Sequence, residues 1–187
     1  MRLQDITITE KNYYADVIRD AVVNKKEVCI HSIVPRNFVY KGVGEIDEEL
    51  AEKNGYQVYY SYDFGGGIVA TKGDLVLAIV KHEGWEVGKN LLEKICQYLK
   101  DKGLPAEIDG NDILISGKYK VASHSSRNIG DRYIYTGLQV CFHANPELIE
   151  RICLKPSKKI PRGLASYGLS NVELMEQMLE WVVNDDF

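Results

Sequence analysis

The predicted elements, in their order and spacing, give an α+β fold, a mixed β-sheet with helices packed on it. Three observations predict it. Strand-like runs rich in β-branched and aromatic residues, among them Tyr56–Tyr62 and Leu75–Val80, are interleaved with segments whose apolar residues recur at helical spacing. Three glycines stand together in Asp63-Phe64-Gly65-Gly66-Gly67-Ile68-Val69. In a helix interior each would cost about 1 kcal/mol against alanine, so they mark a sharp turn or a place where a ligand meets bare backbone. A later stretch, Gly110 to Ser123, reads as a hairpin: Ile113-Leu114-Ile115, a Ser116-Gly117 turn, then Tyr119 and Val121 alternating with Lys118 and Lys120.

Residues 11–24 place Tyr14, Val17, Ile18, Ala21 and Val22 on one helical face, with Thr9 as cap and Lys25-Lys26 at the end that favours cations. Glu27 to Val34 is a strand ended by Pro35-Arg36-Asn37. Gly42 and Gly44 introduce an acidic helix, Glu45 to Asn54, with Gly55 at its C-terminal end. Tyr56 to Tyr62 is a strand that runs into the glycines. Ile68-Val69-Ala70 and Leu75–Val80 are strands across a Lys72-Gly73-Asp74 turn, the second apolar on both faces and therefore central. Val87 to Lys102 is a helix with Leu91, Leu92, Ile95 and Leu99 inward and Gly103 at its end. After the lysine hairpin come a polar loop, His124 to Asp131, and a strand, Tyr133 to Phe142. Asn145-Pro146-Glu147 starts a short helix, Lys155 to Arg162 is a basic connector, and Asn171 to Val183 is a final amphipathic helix.

The chain of 187 residues is 45% hydrophobic, enough for one core, so a single domain over 1–187 is expected. A net charge of −4 argues against nucleic acid as a partner. No apolar run reaches the roughly 18 residues of a membrane span, and the start has no signal-peptide core. Cys29, Cys96, Cys141 and Cys153 are widely separated and read as reduced thiols of a cytoplasmic protein. The four histidines have no ligand spacing, so no metal site is expected.

In this order the segments resemble the biotin/lipoate protein ligase superfamily, and within it the catalytic domain of lipoate–protein ligases. Ile46 to Gly55 resembles the helix leading to the family's glycine motif. Phe64-Gly65-Gly66-Gly67-Ile68-Val69 resembles its Ser-Gly-Gly-Gly-x-Val. Gly110-Asn111-Asp112-Ile113 through Lys120-Val121-Ala122-Ser123 resembles its Asn-Asp strand and lysine motif, and Leu154 to Gly168 resembles the tail of the catalytic domain. The resemblance implies a fold with a class II aminoacyl-tRNA synthetase-like core. It also implies an activity: condensation of lipoate or octanoate with ATP, with Mg, into an acyl-adenylate, then transfer to a lysine of a lipoyl carrier domain.

By the same resemblance Lys120 is the essential lysine, a cation between carboxylate and α-phosphate. Gly65, Gly66 and Gly67 admit the acyl-adenylate, Asn111 and Asp112 hold the nucleotide side, and Thr136-Gly137 lies near the acyl group. The departures are specific. Ser61, Tyr62 and Phe64 stand where ligases carry two arginines and a serine, Thr71-Lys72 replaces His-Asp, and Ser123 replaces a glycine. Lys72 is a candidate for the lost cation. Cys153, near Lys155, Lys158 and Lys159, is a candidate nucleophile of the kind octanoyl/lipoyl transferases use. No C-terminal accessory domain of the kind full ligases carry is expected, which makes a separate chain a candidate partner. Two classes of function follow. One is a lipoate–protein-ligase-like acyl ligase or acyltransferase acting on a small carboxylic acid. The other is a diverged member that binds such an acid, its adenylate or a protein without catalysis.

Taken without the resemblance, the same residues have plainer roles. The glycines make a bend, Lys120 is a solvated hairpin lysine, Asn111-Asp112 forms an Asx turn, and His124 and Arg127 are exposed loop residues.

Overall fold

Leu75–His82 (β6) shows why the chain builds on both faces of one sheet. Leu75, Leu77 and Ile79 point to one side, and Val76, Ala78 and Val80 to the other, all buried. A strand apolar on both faces has to lie between two layers. In this computed structural model, which describes residues 1–5, 17, 19–21, 23–41, 46–60, 68–154 and 158–184, that is where β6 lies.

The strands preceding β6 are β1 (Arg2–Asp5), β2 (Val28–Ile33), β3 (Phe38–Lys41), β4 (Gln57–Tyr60) and β5 (Ile68–Ala70), with helix α1 (Glu48–Lys53) between β3 and β4. After it come α2 (Val87–Asp101), β7 (Ala106–Asp109), β8 (Asp112–Ile115), β9 (Tyr119–Gly130) and β10 (Tyr133–Val140). The chain closes with α3 (Pro146–Ile152), β11 (Ile160–Pro161) and α4 (Asn171–Asn184). The main sheet has the order β1-β2-β6-β10-β9-β8-β7, with β11 also paired to β9; a smaller sheet has the order β4-β3-β5. Parallel pairs (β1 with β2, β11 with β9, β3 with β4) occur beside antiparallel ones, so the sheet is mixed as expected.

The sheets and helices stack in layers. On one face of the main sheet, Leu77, Ile79, Leu138 and Val140 pack against Leu91, Ile95 and Leu99 of α2 and Leu174 and Met178 of α4. On the other face, Ile30, Val76, Ala78 and Tyr135 meet Phe38, Tyr40, Tyr59 and Ala70 of the small sheet. The far side of the small sheet is closed by α1 and α3, with Val39, Ala51 and Ile152 in contact. Burying a side chain of this size stabilises by about 1.5–3 kcal/mol.

Several expectations need correction. Ile68-Val69-Ala70 and Leu75–Val80 do not form a hairpin. β5 pairs with β3, β6 with β2 and β10, and the Lys72-Gly73 turn carries the chain from one sheet to the other. The acidic helix begins at Glu48 rather than Glu45, because Asp47 caps it, accepting from the Leu50 amide at 2.8 Å. His124 to Gly130 is not a loop but the second half of β9, paired to β10 through an Asp131-Arg132 turn with both residues at positive φ. Its polarity has a cause: β8 begins opposite Ser123, so among the described residues this half of β9 is paired to a strand on one side only. The basic connector includes a short strand, β11. β1, β3 and β7 were not expected; each is four residues long, too short for an alternation to register. Of the first helix, residues 17, 19–21 and 23 are helical; the rest of that expectation, with Thr9, lies outside the described residues.

Candidate functional site

The lysine hairpin forms as the sequence implies. Ser116 and Gly117 both have positive φ, 54° and 65°, and the Lys118 amide closes the turn on the Ile115 carbonyl. Beyond the turn the ladder is irregular. Leu114 faces Lys120 and Ile113 faces Ala122, so Val121 is an extra residue, a β-bulge whose carbonyl accepts from the Cys141 amide at 2.8 Å. Val121 and Ala122 consequently both enter the core on the helix side.

That one residue decides which side chains share a face. Lys120 lies on the side of Asp112, facing the small sheet. Past the bulge the residues on that side are Ser123, Ser125 and Arg127, opposite Gln139, Gly137 and Tyr135 of β10. Gln139 reaches across to the small sheet and donates to the Val69 carbonyl at 2.8 Å. Arg127 is half-buried and close enough to Tyr135 that its charge acts on the phenol. His124, which strict alternation from Lys120 would put on this face, turns the other way and packs on α2. A Cβ on Gly88 would lie 2.4 Å from its Nδ1. Burial holds His124 below the usual histidine range, against the opposing charge of Asp112, so its ring is neutral at pH 7.

Lys120 is not a solvated lysine. Its Nζ lies 3.0 Å from Asp112 Oδ1, and the other Asp112 oxygen accepts from Lys159 Nζ at 2.6 Å. Burial raises the Asp112 pKa, but the Lys159 hydrogen bond and the Lys120 charge more than offset it, so the carboxyl is held low. Asn111 is exposed on the β7–β8 turn, and its carbonyl accepts from the His124 amide.

Thr136 and Gly137 point to opposite faces. Thr136 is buried toward α2, 2.7 Å from the Ser126 hydroxyl, whereas Gly137 faces the small sheet with the Tyr135 ring folded over it. Lys72 is exposed on the inter-sheet turn, its amide donating to Asn37 Oδ1. Cys153 caps the end of α3, and burial pushes its thiol up despite the charge of Lys120. An activated thiolate needs the reverse shift. Gly65, Gly66 and Gly67 lie outside the described residues; Ile68, which follows them, pairs with Tyr40 against the aromatic wall of Tyr40, Tyr59 and Phe38.

A cleft of about 500 Å³ opens beside this end of β9, lined by Tyr56, Thr71, Phe142, Asn145, Arg162 and Ser166 among others. It adjoins Lys120 through β11: Pro161 is paired with Lys120, and the Arg162 amide donates to the Lys120 carbonyl at 2.9 Å. The Arg162 guanidinium stacks 3.9 Å from the Tyr119 ring centroid. Buried Asp74 holds the cleft wall, accepting from the amides of Thr71, Phe142 and His143 and from Gln139. Among the described residues no group of three or more His, Cys, Asp or Glu is placed to hold a metal ion.

Residues 39–186 match the model of the lipoyl protein ligase A/B catalytic domain family. The chain belongs to this family. Among solved structures it is similar to a putative lipoate protein ligase of Thermoplasma acidophilum with bound lipoic acid. That likeness has a TM-score of 0.67 at 15% identity over 95% of this chain and 81% of the other. The bipartite lipoate protein ligase of the same organism, described with its E2 lipoyl domain, gives 0.69 at 15% identity over 96% and 80%. Lipoate-protein ligase A bound with ATP gives 0.68 at 14% identity over 96% and 83%. At these identities the likeness is one of fold, and it places this lipoyl ligase catalytic domain among α+β folds with a mixed sheet flanked by helices. No curated protein matches the sequence.

Sequence reasoning singled out Lys120 and Asp112, which the fold brings together. It missed Lys159 and Arg162 as neighbours of Lys120, reading them as parts of a basic connector, and took Arg127 for an exposed loop residue. The parallel β11 pairing that seats the first two has no signature in a two-residue strand.

Proposed function

We propose that the protein is a lipoate–protein-ligase-like enzyme that joins a lipoyl- or octanoyl-type acid to ATP and passes the acyl group to a lysine of a carrier domain. The observation that carries this reading is Lys120. It sits in a hairpin of the family's order, fixed by Asp112, on the sheet face opposite the strand that emerges from the glycine run. In the reaction the acid's carboxylate attacks the α-phosphorus and pyrophosphate leaves. The carrier amine then attacks the acyl carbonyl, and AMP leaves. The Nζ of Lys120 stabilises negative charge in both steps. The aromatic wall of Tyr40 and Tyr59 suits an aliphatic acyl chain, Gly65–Gly67 admit it, and the cleft beyond β11 suits the nucleotide end, with Asn111 and Asp112 on that side. Thr136 contributes from beneath the sheet rather than by contact, and Gly137 by making room for Tyr135.

The reading needs cations where Ser61, Tyr62 and Phe64 stand. Candidates to replace them are Arg127, on the Lys120 face of β9, and Arg162, just after β11, with Lys72 on the turn after β5 a third. Asp109 and Asp112 are both engaged by lysines, so these two carboxylates do not favour a resident magnesium ion. Four free thiols support a cytoplasmic location, and no helix among the described residues is long and apolar enough to cross a membrane. A lipoyl domain as acceptor, and a separate accessory chain, are the partners in keeping with the Thermoplasma system.

The test is titration with lipoate, octanoate and biotin, each with ATP–Mg and as a non-hydrolysable acyl-adenylate analogue, followed by pyrophosphate exchange. One analogue is expected to bind, and Lys120→Ala to reduce exchange by about 10²–10³-fold with the fold intact. Exchange at the wild-type rate in Lys120→Ala would remove Lys120 from its role. An analogue that binds without any exchange would favour the second reading, a binding member without catalysis, which the lost arginines already support.

A further inference from the structure

We propose that Lys159 is a positioning residue of this site, holding Asp112 so that the charge of Lys120 faces the ligand. The proposal rests on the acyl-adenylate reading above. Lys159 belongs to a connector that looks solvated in sequence, yet its side chain is only 26% exposed, and its Nζ has three acceptors on the β7–β8 hairpin. These are Asp112 Oδ2 at 2.6 Å, Asp109 Oδ2 at 2.9 Å and the Asp109 carbonyl at 2.9 Å. The backbone that follows it is anchored, with the Ile160 amide on the Lys118 carbonyl and the Arg162 amide on the Lys120 carbonyl. The position of Lys159 is therefore tied to the sheet through the strand that follows it.

The charges alternate along one line: Lys120, Asp112, Lys159, Asp109. Lys120 with Asp112 alone is a neutral pair, a poor partner for a carboxylate and a phosphate. Lys159 draws on the same carboxylate from behind. It turns one Asp112 oxygen away from Lys120, holds the carboxylate in one rotamer, and offsets its negative charge, so that the field on the ligand side of Lys120 stays positive. Neighbouring Lys158 is exposed and serves as the control.

The experiment measures binding of a non-hydrolysable octanoyl- or lipoyl-adenylate analogue to wild type, Lys159→Gln, Lys159→Arg and Lys158→Gln, and to Lys159→Gln in a Lys120→Ala background. Lys159→Gln is expected to weaken binding about tenfold or more, as loss of an orienting partner does. Lys159→Arg should recover most of it, Lys158→Gln should match wild type, and Lys159→Gln should add nothing once Lys120 is gone. Lys159→Met, which keeps the aliphatic stem, replaces Lys159→Gln if that variant does not melt cooperatively. Wild-type affinity in Lys159→Gln, or in Lys159→Met where it stands in, overturns the proposal. So does a loss of equal size in the Lys120→Ala background, the mark of a purely structural role. A wild-type protein that binds no analogue overturns the site reading itself, and this inference with it.

Discussion

Asp74 is the clearest case of a single side chain shaping the site without touching a ligand. It is 1% exposed, and its two oxygens take four donors, three of them backbone amides. Burial pushes its pKa up and those donors pull it down, burial prevailing. A carboxylate can accept all four bonds; an amide cannot, because its nitrogen would face donors. Asp74→Asn is therefore expected to cost about 1–3 kcal/mol in a urea melt and to loosen the Thr71 and Phe142 walls of the cleft. A variant as stable as wild type would remove Asp74 from this role. Gly-Asp at 73–74 reads in sequence as ordinary turn chemistry, and nothing local shows that its carboxylate is buried beneath another strand's end. Lys120 and Asp112 were legible as residues because a recognisable order of motifs carried them. Their ion pair was legible only once the hairpin register was known.

At the scale of elements, the Val121 bulge matters most. It lets Val121 and Ala122 enter the same core and moves Arg127, in place of His124, to the Lys120 face. Deleting Val121 keeps the later faces and leaves a regular ladder, but it removes a buried valine and the bond to the Cys141 amide. The expected outcome is a cooperative fold weakened by about 2–4 kcal/mol, with Lys120 re-aimed and analogue affinity lost. Titration at wild-type affinity would show that the bulge does not aim Lys120. Bulges have no residue signature here: Lys-Val-Ala-Ser is as good a regular strand. The same limit explains why His124–Gly130 looked like a loop, since polar side chains beside an open edge mimic a turn.

For the whole molecule, the two sheets are separate walls joined by an apolar layer, and the proposed site lies where they face each other. Phe38 is fully buried in that layer, in edge contact with Tyr40 and Tyr59. Phe38→Ala is expected to cost about 3–5 kcal/mol and to weaken ligand binding further, because the small sheet carries the strand that leaves the glycines. Calorimetric melting beside analogue titration checks both. Loss of stability with unchanged affinity would mean the small sheet does not form a wall of the site.

The sequence by itself determined the α+β class, the helices α2, α3 and α4, the lysine hairpin and the family, because periodicity, caps, turn residues and motif order are local properties of the chain. Only the tertiary structure decided that the strands divide between two sheets, that β9 is long and bulged, and that Lys159 and Arg162 return to the side of Lys120. Those facts depend on pairing between segments distant in sequence. Hydrogen bonds between strands are made by backbone groups that nearly every residue carries, so the side-chain pattern of one strand shows which face is buried but not which strand it pairs with.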